Sequence, residues 1–191
     1  MEAERNTVTT PPLEQQDPNL GKLTARRASV IVDRLARTKS ASVLDVGCGD
    51  GYLLSRIAST GAVLSGADIA ETRLEQARTR FSEDALAPTW FRAPAESIPC
   101  ENGAFDCVVS SEVLEHLPDP GLAAREAFRI IKPAGTYVVT VPYRENIVQH
   151  LCVHCGELTP QYGHLHRFDG DSLRGLLEDA GFVDVEWEPF V

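Results

Sequence analysis

The stretch Val43-Leu44-Asp45-Val46-Gly47-Cys48-Gly49-Asp50-Gly51 carries the strongest structural information in the chain. A short apolar run, the pattern of a buried strand, enters three glycines at every second position. A helix-like stretch follows. Glycine tolerates positive φ and has no Cβ, so backbone built this way can approach a ligand closely. A bare turn from strand to helix needs only one such residue. Working outward, the same alternation repeats. Strand patterns occupy residues 42–46, 62–68, 89–92, 105–110 and 136–141. Helical patterns occupy 51–59, 71–81, 122–131 and 171–180, and a last strand pattern covers 183–187. Apolar strands separated by amphipathic helices predict a three-layer α/β domain: a doubly wound, mostly parallel sheet with helices on both faces. A ligand of such a sheet sits at the carboxyl ends of its strands.

The flanking residues bound the rest. The 191 residues suffice for one domain with a full core. Residues 1–19, polar and proline-rich, are expected to form a mobile arm. Residues 20–191 form the domain, entered through a helix over 20–38. A net charge of −10 argues against a broad nucleic-acid face. No apolar run reaches the roughly 20 residues of a membrane span, and no secretory signal pattern opens the chain. Five cysteines at uneven spacing do not read as a disulfide framework. A reducing cytoplasm is the expected compartment.

The spacing of the glycines discriminates between ligands. A dinucleotide loop wants G-x-G-x-x-G, but Tyr52 stands where the third glycine belongs, and Gly51 comes one residue early. Asp45 would repel a pyrophosphate and suits a cationic ligand. S-adenosylmethionine (SAM) has an ammonium group, a sulfonium centre and no phosphate. Seventeen residues past Gly51 the second strand ends in Asp68. Its carboxylate can accept from both ribose hydroxyls, or cap the next helix with Glu71 three residues on. A nicotinamide-dependent oxidoreductase is disfavoured by Tyr52 and Asp45. A SAM-binding regulatory or scaffold protein without catalysis stays open.

These residues resemble class I, Rossmann-like SAM-dependent methyltransferases, especially the small-molecule branch with the ubiquinone and menaquinone biosynthesis enzymes. The resemblance runs from about residue 42 to 182. It implies that Asp45, Gly47, Cys48, Gly49 and Gly51 hold the methionine part of SAM. Asp68 would hold the ribose, with Ile69 beside it. Ala95-Glu96-Ser97-Ile98-Pro99 would cup adenine, and Ser110, ending Phe105-Asp106-Cys107-Val108-Val109-Ser110, would lie beside the methionine. Arg129-Ile130-Ile131-Lys132-Pro133-Ala134-Gly135 matches the segment before the fifth strand. Two departures stand out. Pro94 replaces an Asp that the family often uses for the adenine amino group, leaving backbone near Ala95 and Glu96. The C-terminal hairpin is apparently truncated after its first strand. An exposed sheet edge calls for a cover, and a homodimer through it is expected.

The connection over residues 142–168 is about twice the usual length and is expected to overhang the reaction centre. It contains Cys152-Val153-His154-Cys155-Gly156 and Gly163-His164-Leu165-His166. Two thiolates and two imidazoles suit tetrahedral zinc. Cys152, Cys155, His164 and His166 are the candidate ligands, with His150 competing for the fourth place. A redox-active pair and no special role are the alternatives. Methyl transfer needs an unprotonated nucleophile, so a histidine base is expected for a hydroxyl or amine. His116, in Glu112-Val113-Leu114-Glu115-His116, and His164 are the candidates. Glu112 either orients the acceptor, expected to be a small molecule, or begins a solvated helix.

Overall fold

The computed structural model describes residues 18–38, 40–83 and 87–189. The expected arm lies outside them except for Pro18 and Asn19, which open helix α1 (Pro18–Thr38). The chain then runs β1 (Ser42–Val46), α2 (Tyr52–Ile57), a 3-10 turn (Ala58–Thr60), β2 (Val63–Asp68), α3 (Glu71–Arg80), β3 (Thr89–Arg92) and β4 (Phe105–Ser111). A second 3-10 turn (Leu114–His116) leads to α4 (Pro120–Ile130) and β5 (Ile131–Thr140). The insert holds a hairpin, β6 (Gln149–Leu151) and β7 (Leu158–Pro160), and a 3-10 turn (Gln161–Gly163). Helix α5 (Gly170–Asp179) follows. No helix among the described residues is long and apolar enough to cross a membrane.

The main sheet has the order β3-β2-β1-β4-β5, and every pairing in it is parallel. The order reverses between β1 and β4, so a crevice opens at their carboxyl ends, beside the glycine loop. Alternation along the strands fills two cores. Val43, Cys107 and Val109 face Ile31 and Leu35 of α1, Leu54 of α2 and Leu74 of α3. Leu44, Val46 and Val108 face Ala127 and Ile130 of α4, and α5 closes that side through Leu177 against Ala124.

Three boundaries differ from expectation for local reasons. Helices α4 and α5 start earlier than residues 122 and 171, because their caps lie upstream. Asp119 accepts the Leu122 N–H, and Asp169 and Ser172 form a reciprocal capping box. Strand β5 starts at Ile131, not residue 136, and carries Lys132-Pro133-Ala134-Gly135 as an irregularity in its register with β4. Ala134 takes φ 62° there. A Cβ on Gly135 would stand 2.8 Å from the Asp106 carbonyl oxygen, so the bulge needs glycine. Asp106 bonds Lys132 Nζ (2.9 Å) and the Ser42 N–H (2.9 Å), which ties together the starts of β1, β4 and β5.

The strand expected over 183–187 is absent, which corrects that expectation. Asp184 takes φ 55°, incompatible with an extended run. Side chains anchor the segment instead. Phe182 stacks on Tyr137 (5.1 Å between centroids) and Trp187 on Tyr143 (5.8 Å). The margin of the sheet on that side is therefore β5, not a C-terminal edge strand.

Gly66 of β2 tests the tight core. A Cβ there would meet Trp90 at 2.6 Å and Leu54 at 2.9 Å. Gly66→Ala is expected to cost about 1–3 kcal/mol by overpacking. Gly175 in α5 has open space around its Cβ position, and Gly175→Ala is expected to gain about 0.5–1 kcal/mol. Urea unfolding of the two variants should move in opposite directions.

Candidate active site

The glycine loop is held from beneath by β2. The Gly47 and Cys48 N–H groups both donate to the Ala67 carbonyl, at 2.8 and 3.0 Å. Gly47, Gly49 and Gly51 all have positive φ, between 54° and 76°. They serve different ends. A Cβ at Gly47 would stand 2.4 Å from Val113 Cγ2, whereas at Gly49 it would meet nothing within 4 Å. Gly47 thus lets the loop pack on the segment after β4, and Gly49 borders open space where a ligand has room. Cys48 turns its side chain into the core, leaving only its backbone for the loop.

Asp68 does more than either role expected of it. Its Oδ2 accepts the Gly49 N–H (2.9 Å) and its Oδ1 the Ala70 N–H (2.8 Å). One carboxylate thereby joins the loop to the entry of α3. Each oxygen keeps a second lone pair for a hydroxyl. Helix α3 is not capped by a side chain; its N-cap is Ala70. Asp45 lies 2% exposed at the end of β1. Burial, and secondarily the charge of Asp68, push its pKa up to about 8. Two acids thus lie in one crevice, with no ion-pair partner for either among the described residues, an arrangement that could hold a positively charged group and a hydroxyl donor. Ile69 stands 68% exposed beside Asp68. Ala95 and Glu96 lie half-buried on the turn after β3, which the Ser97 N–H closes on the Pro94 carbonyl (3.1 Å). Ser110 is buried, and its Oγ accepts from the Tyr137 hydroxyl (3.0 Å). Only its backbone is left to face a ligand.

Beyond β4 the insert crosses the same end of the sheet. The Leu165 and His166 N–H groups donate to the Glu115 carbonyl (2.7 and 3.2 Å). His166 Nε2 donates to the Leu117 carbonyl (2.8 Å), so His166 is a brace. His116 Nδ1 lies 3.3 Å from the Gly163 carbonyl. A carbonyl only accepts, so Nδ1 carries the proton and Nε2 keeps a free lone pair. His164 donates from Nδ1 to the Glu145 carboxylate. The two rings meet edge to face, 4.7 Å between centroids. Burial, the leading cause, lowers the His116 pKa, which favours the neutral base. Glu115 lies between them, fully buried, with neither carboxyl oxygen hydrogen-bonded. Burial drives its pKa up to about 8.

The expected zinc tetrad does not assemble. Cys152 and Cys155 lie at the tip of the β6–β7 hairpin, while His164 and His166 point at Glu145 and Leu117. Among the described residues, the group of three candidate donor side chains that converges within 4.8 Å is instead Glu115, His116 and His164. Glu112 is not the start of a solvated helix. Arg27 of α1 pairs with its Oε2 (3.1 Å), and the Thr140 hydroxyl donates to its Oε1 (3.1 Å). Sequence reasoning missed Glu145 and Arg27, since neither belongs to a recognisable pattern. Glu115 was visible in the run from Glu112 to His116 but was given no role.

The sequence pattern of a family described as a methyltransferase domain matches residues 20–186. The chain belongs to this methyltransferase family. A Mycobacterium tuberculosis (strain CDC 1551 / Oshkosh) protein named as a probable S-adenosylmethionine-dependent methyltransferase is 33% identical over 84% of the chain and 56% of its own length. The ubiquinone biosynthesis O-methyltransferase of Vibrio campbellii is 34% identical over 64% of the chain and 53% of its own length. The chain thus spans about half the length of the curated relatives it matches. Among solved structures, the [4+2]-cyclase SpnF superposes with TM-score 0.71 at 26% identity, covering 85% of this chain and 59% of that one. Phosphoethanolamine N-methyltransferase 2 of Haemonchus contortus, solved with S-adenosyl-L-methionine, gives 0.69 at 23% identity, covering 84% and 37%. The last likeness is one of fold.

Glu115 sets a pH dependence of stability for this methyltransferase domain. Its pKa is raised on folding, so its neutral form stabilises the native state fully below the ordinary carboxylate value. That contribution is lost as pH rises through about 8. Glu115→Gln is expected to flatten the fall in urea midpoint between pH 5 and 8, which unfolding at several pH values would measure.

Proposed function

We propose that this chain transfers the methyl group of SAM to the nucleophilic oxygen of a small-molecule acceptor, with His164 as general base. The observation that carries the reading is the pair of anchored imidazoles. Each has its Nδ1 committed to an acceptor, so in its neutral form each presents the lone pair of Nε2. They sit past the end of β4, on the side where Val113 meets the glycine loop. SAM supplies an electrophilic methyl on a sulfonium, and the residues present fit it. Asp45 and the loop backbone suit its cationic amino-acid end, Asp68 its ribose hydroxyls, and Ile69 with the Ala95–Glu96 backbone its purine.

The chain's own work is then orientation and proton removal. Glu145 fixes the ring and tautomer of His164 and stabilises the imidazolium that forms when the acceptor hydroxyl gives up its proton. His116, more exposed and braced by Gly163, lines the acceptor's path and holds the His164 ring in place. The insert, bonded to the Glu115 carbonyl, covers this end of the sheet and limits water. An oxygen acceptor fits a histidine base and the named chemistry of the Vibrio relative. Against a panel of phenolic and catecholic acceptors, labelled methyl from SAM should appear in product. His164→Ala should lower kcat about 10²–10⁴-fold with the KM for SAM little changed. Tight SAM binding with no transfer to any acceptor class would favour a regulatory SAM-binding role instead.

The cofactor side has its own test. Asp45 must be ionised to attract a cationic ligand, and its pKa near 8 makes that ionisation incomplete at neutral pH. SAM affinity is expected to rise with pH up to about 8 and then level. Asp45→Asn should bind weakly with a flat profile. Asp68→Ala should lose binding through both the ribose and the loosened Gly49. Calorimetry with the demethylated product, which lacks the sulfonium, separates the two effects.

A further inference from the structure

Asp50 is the one residue between Gly49 and Gly51, and a side chain from outside the loop grips it twice. Arg80, the last residue of α3, donates from Nη2 to the Asp50 carboxylate (2.5 Å) and from Nε to the Asp50 backbone carbonyl (2.9 Å). The other oxygen of that carboxylate accepts the Tyr52 N–H (3.1 Å). The guanidinium carbon also lies 5.8 Å from the centroid of the Tyr52 ring.

Helix α3 bears on the loop in two further places. A Cβ on Gly51 would stand 3.2 Å from Ala77 Cβ and 3.3 Å from Phe81 Cε2, so the loop rests on the last turn of α3. At the opposite end of the helix, the Ala70 N–H holds Asp68, which in turn accepts the Gly49 N–H. One helix thus brackets the loop, by Asp68 at its start and Arg80 at its end.

An exposed ion pair adds little to stability, and Arg80 and Asp50 are 37% and 39% exposed. The link therefore does little to keep the domain folded. Two bonds from one planar guanidinium to the carboxylate and the carbonyl of a single residue instead fix its backbone and side chain together. The backbone so fixed is flanked by glycines, which lose more freedom on ordering than any other residue. A loop already set in its binding conformation spares its ligand that ordering cost.

We propose that Arg80 is a positioning residue for the cofactor, acting on SAM through Asp50 and the loop backbone. The inference rests on the reading of the glycine loop as the SAM site.

Calorimetry on the full chain, with SAM and with its demethylated product, tests it. Arg80→Ala should raise the Kd of both about fivefold or more, since loop order serves both ligands, while the urea midpoint changes little. Arg80→Lys keeps the charge without the two-point grip and should recover only part of the loss. Asp50→Ala should also weaken binding, and the Arg80→Ala/Asp50→Ala double variant should lose less than the product of the two single losses. Arg78→Ala removes an exposed pair with Glu71 on the same helix and should leave binding unchanged. If Asp68→Ala loses SAM and Arg80→Ala does not, the loop reading stands and this inference falls. If neither variant loses SAM, both fall. A loss in Arg80→Ala that matches a loss in Arg78→Ala, or that only tracks a fallen urea midpoint, also overturns the inference.

Discussion

Two carboxylates share one crevice at the ends of β1 and β2, and the site is organised around keeping them there. Asp45 is buried, and its ionisation is opposed by burial and by Asp68. Asp68 is held by two backbone N–H groups, one from the glycine loop and one from the start of α3. The hydrogen bonds that position Asp68 also tie down the loop, where Gly49 donates to the carboxylate from a left-handed conformation. An electrostatic cost is therefore built into the fold at this crevice.

That constraint was legible in the sequence because it is local. The three alternating glycines, Asp45 before them and Asp68 at the next strand end are fixed by strand length and turn chemistry, and a parallel sheet covered on both faces follows from the alternation, though the order of its strands does not. What was not legible depends on contacts across the fold. Glu145 reaches His164 from nineteen residues away, and Arg27 reaches Glu112 from another layer. No periodicity announces either pair. Ser110 shows a further limit of local reading. Its place at a strand end suggests a ligand contact, but strand alternation turns its side chain toward Tyr137.

The insert shows how spacing alone misleads. Cys-x-x-Cys followed by His-x-His reads as one ligand set when only distance along the chain is considered. In the fold the two halves separate, because the β6–β7 hairpin carries the cysteines to its tip while Leu165 and His166 bond back to the Glu115 carbonyl. The same residues thus divide between a tip that lacks a core of its own and a base cluster packed on the sheet.

The two sides of the reaction centre are joined through the segment between β4 and α4. Val113 rests against Gly47 on the cofactor side. Its neighbour Glu112, held at φ 57° by Arg27 and Thr140, fixes α1 and β5 to the same point. Three residues on, Glu115 anchors the insert through its carbonyl while its buried side chain stays unpaired. A buried carboxyl with no partner is costly, and this one lies beside the imidazoles of His116 and His164. Kept protonated by burial, Glu115 adds no negative charge that would raise the basicity of His116. Glu145 is hydrogen-bonded to His164, and its charge also favours the protonated form of His116. The asymmetry between the two histidines lies in their partners: His164 Nδ1 meets a carboxylate and His116 Nδ1 a backbone carbonyl, and on that difference rests the proposal of His164 as the base.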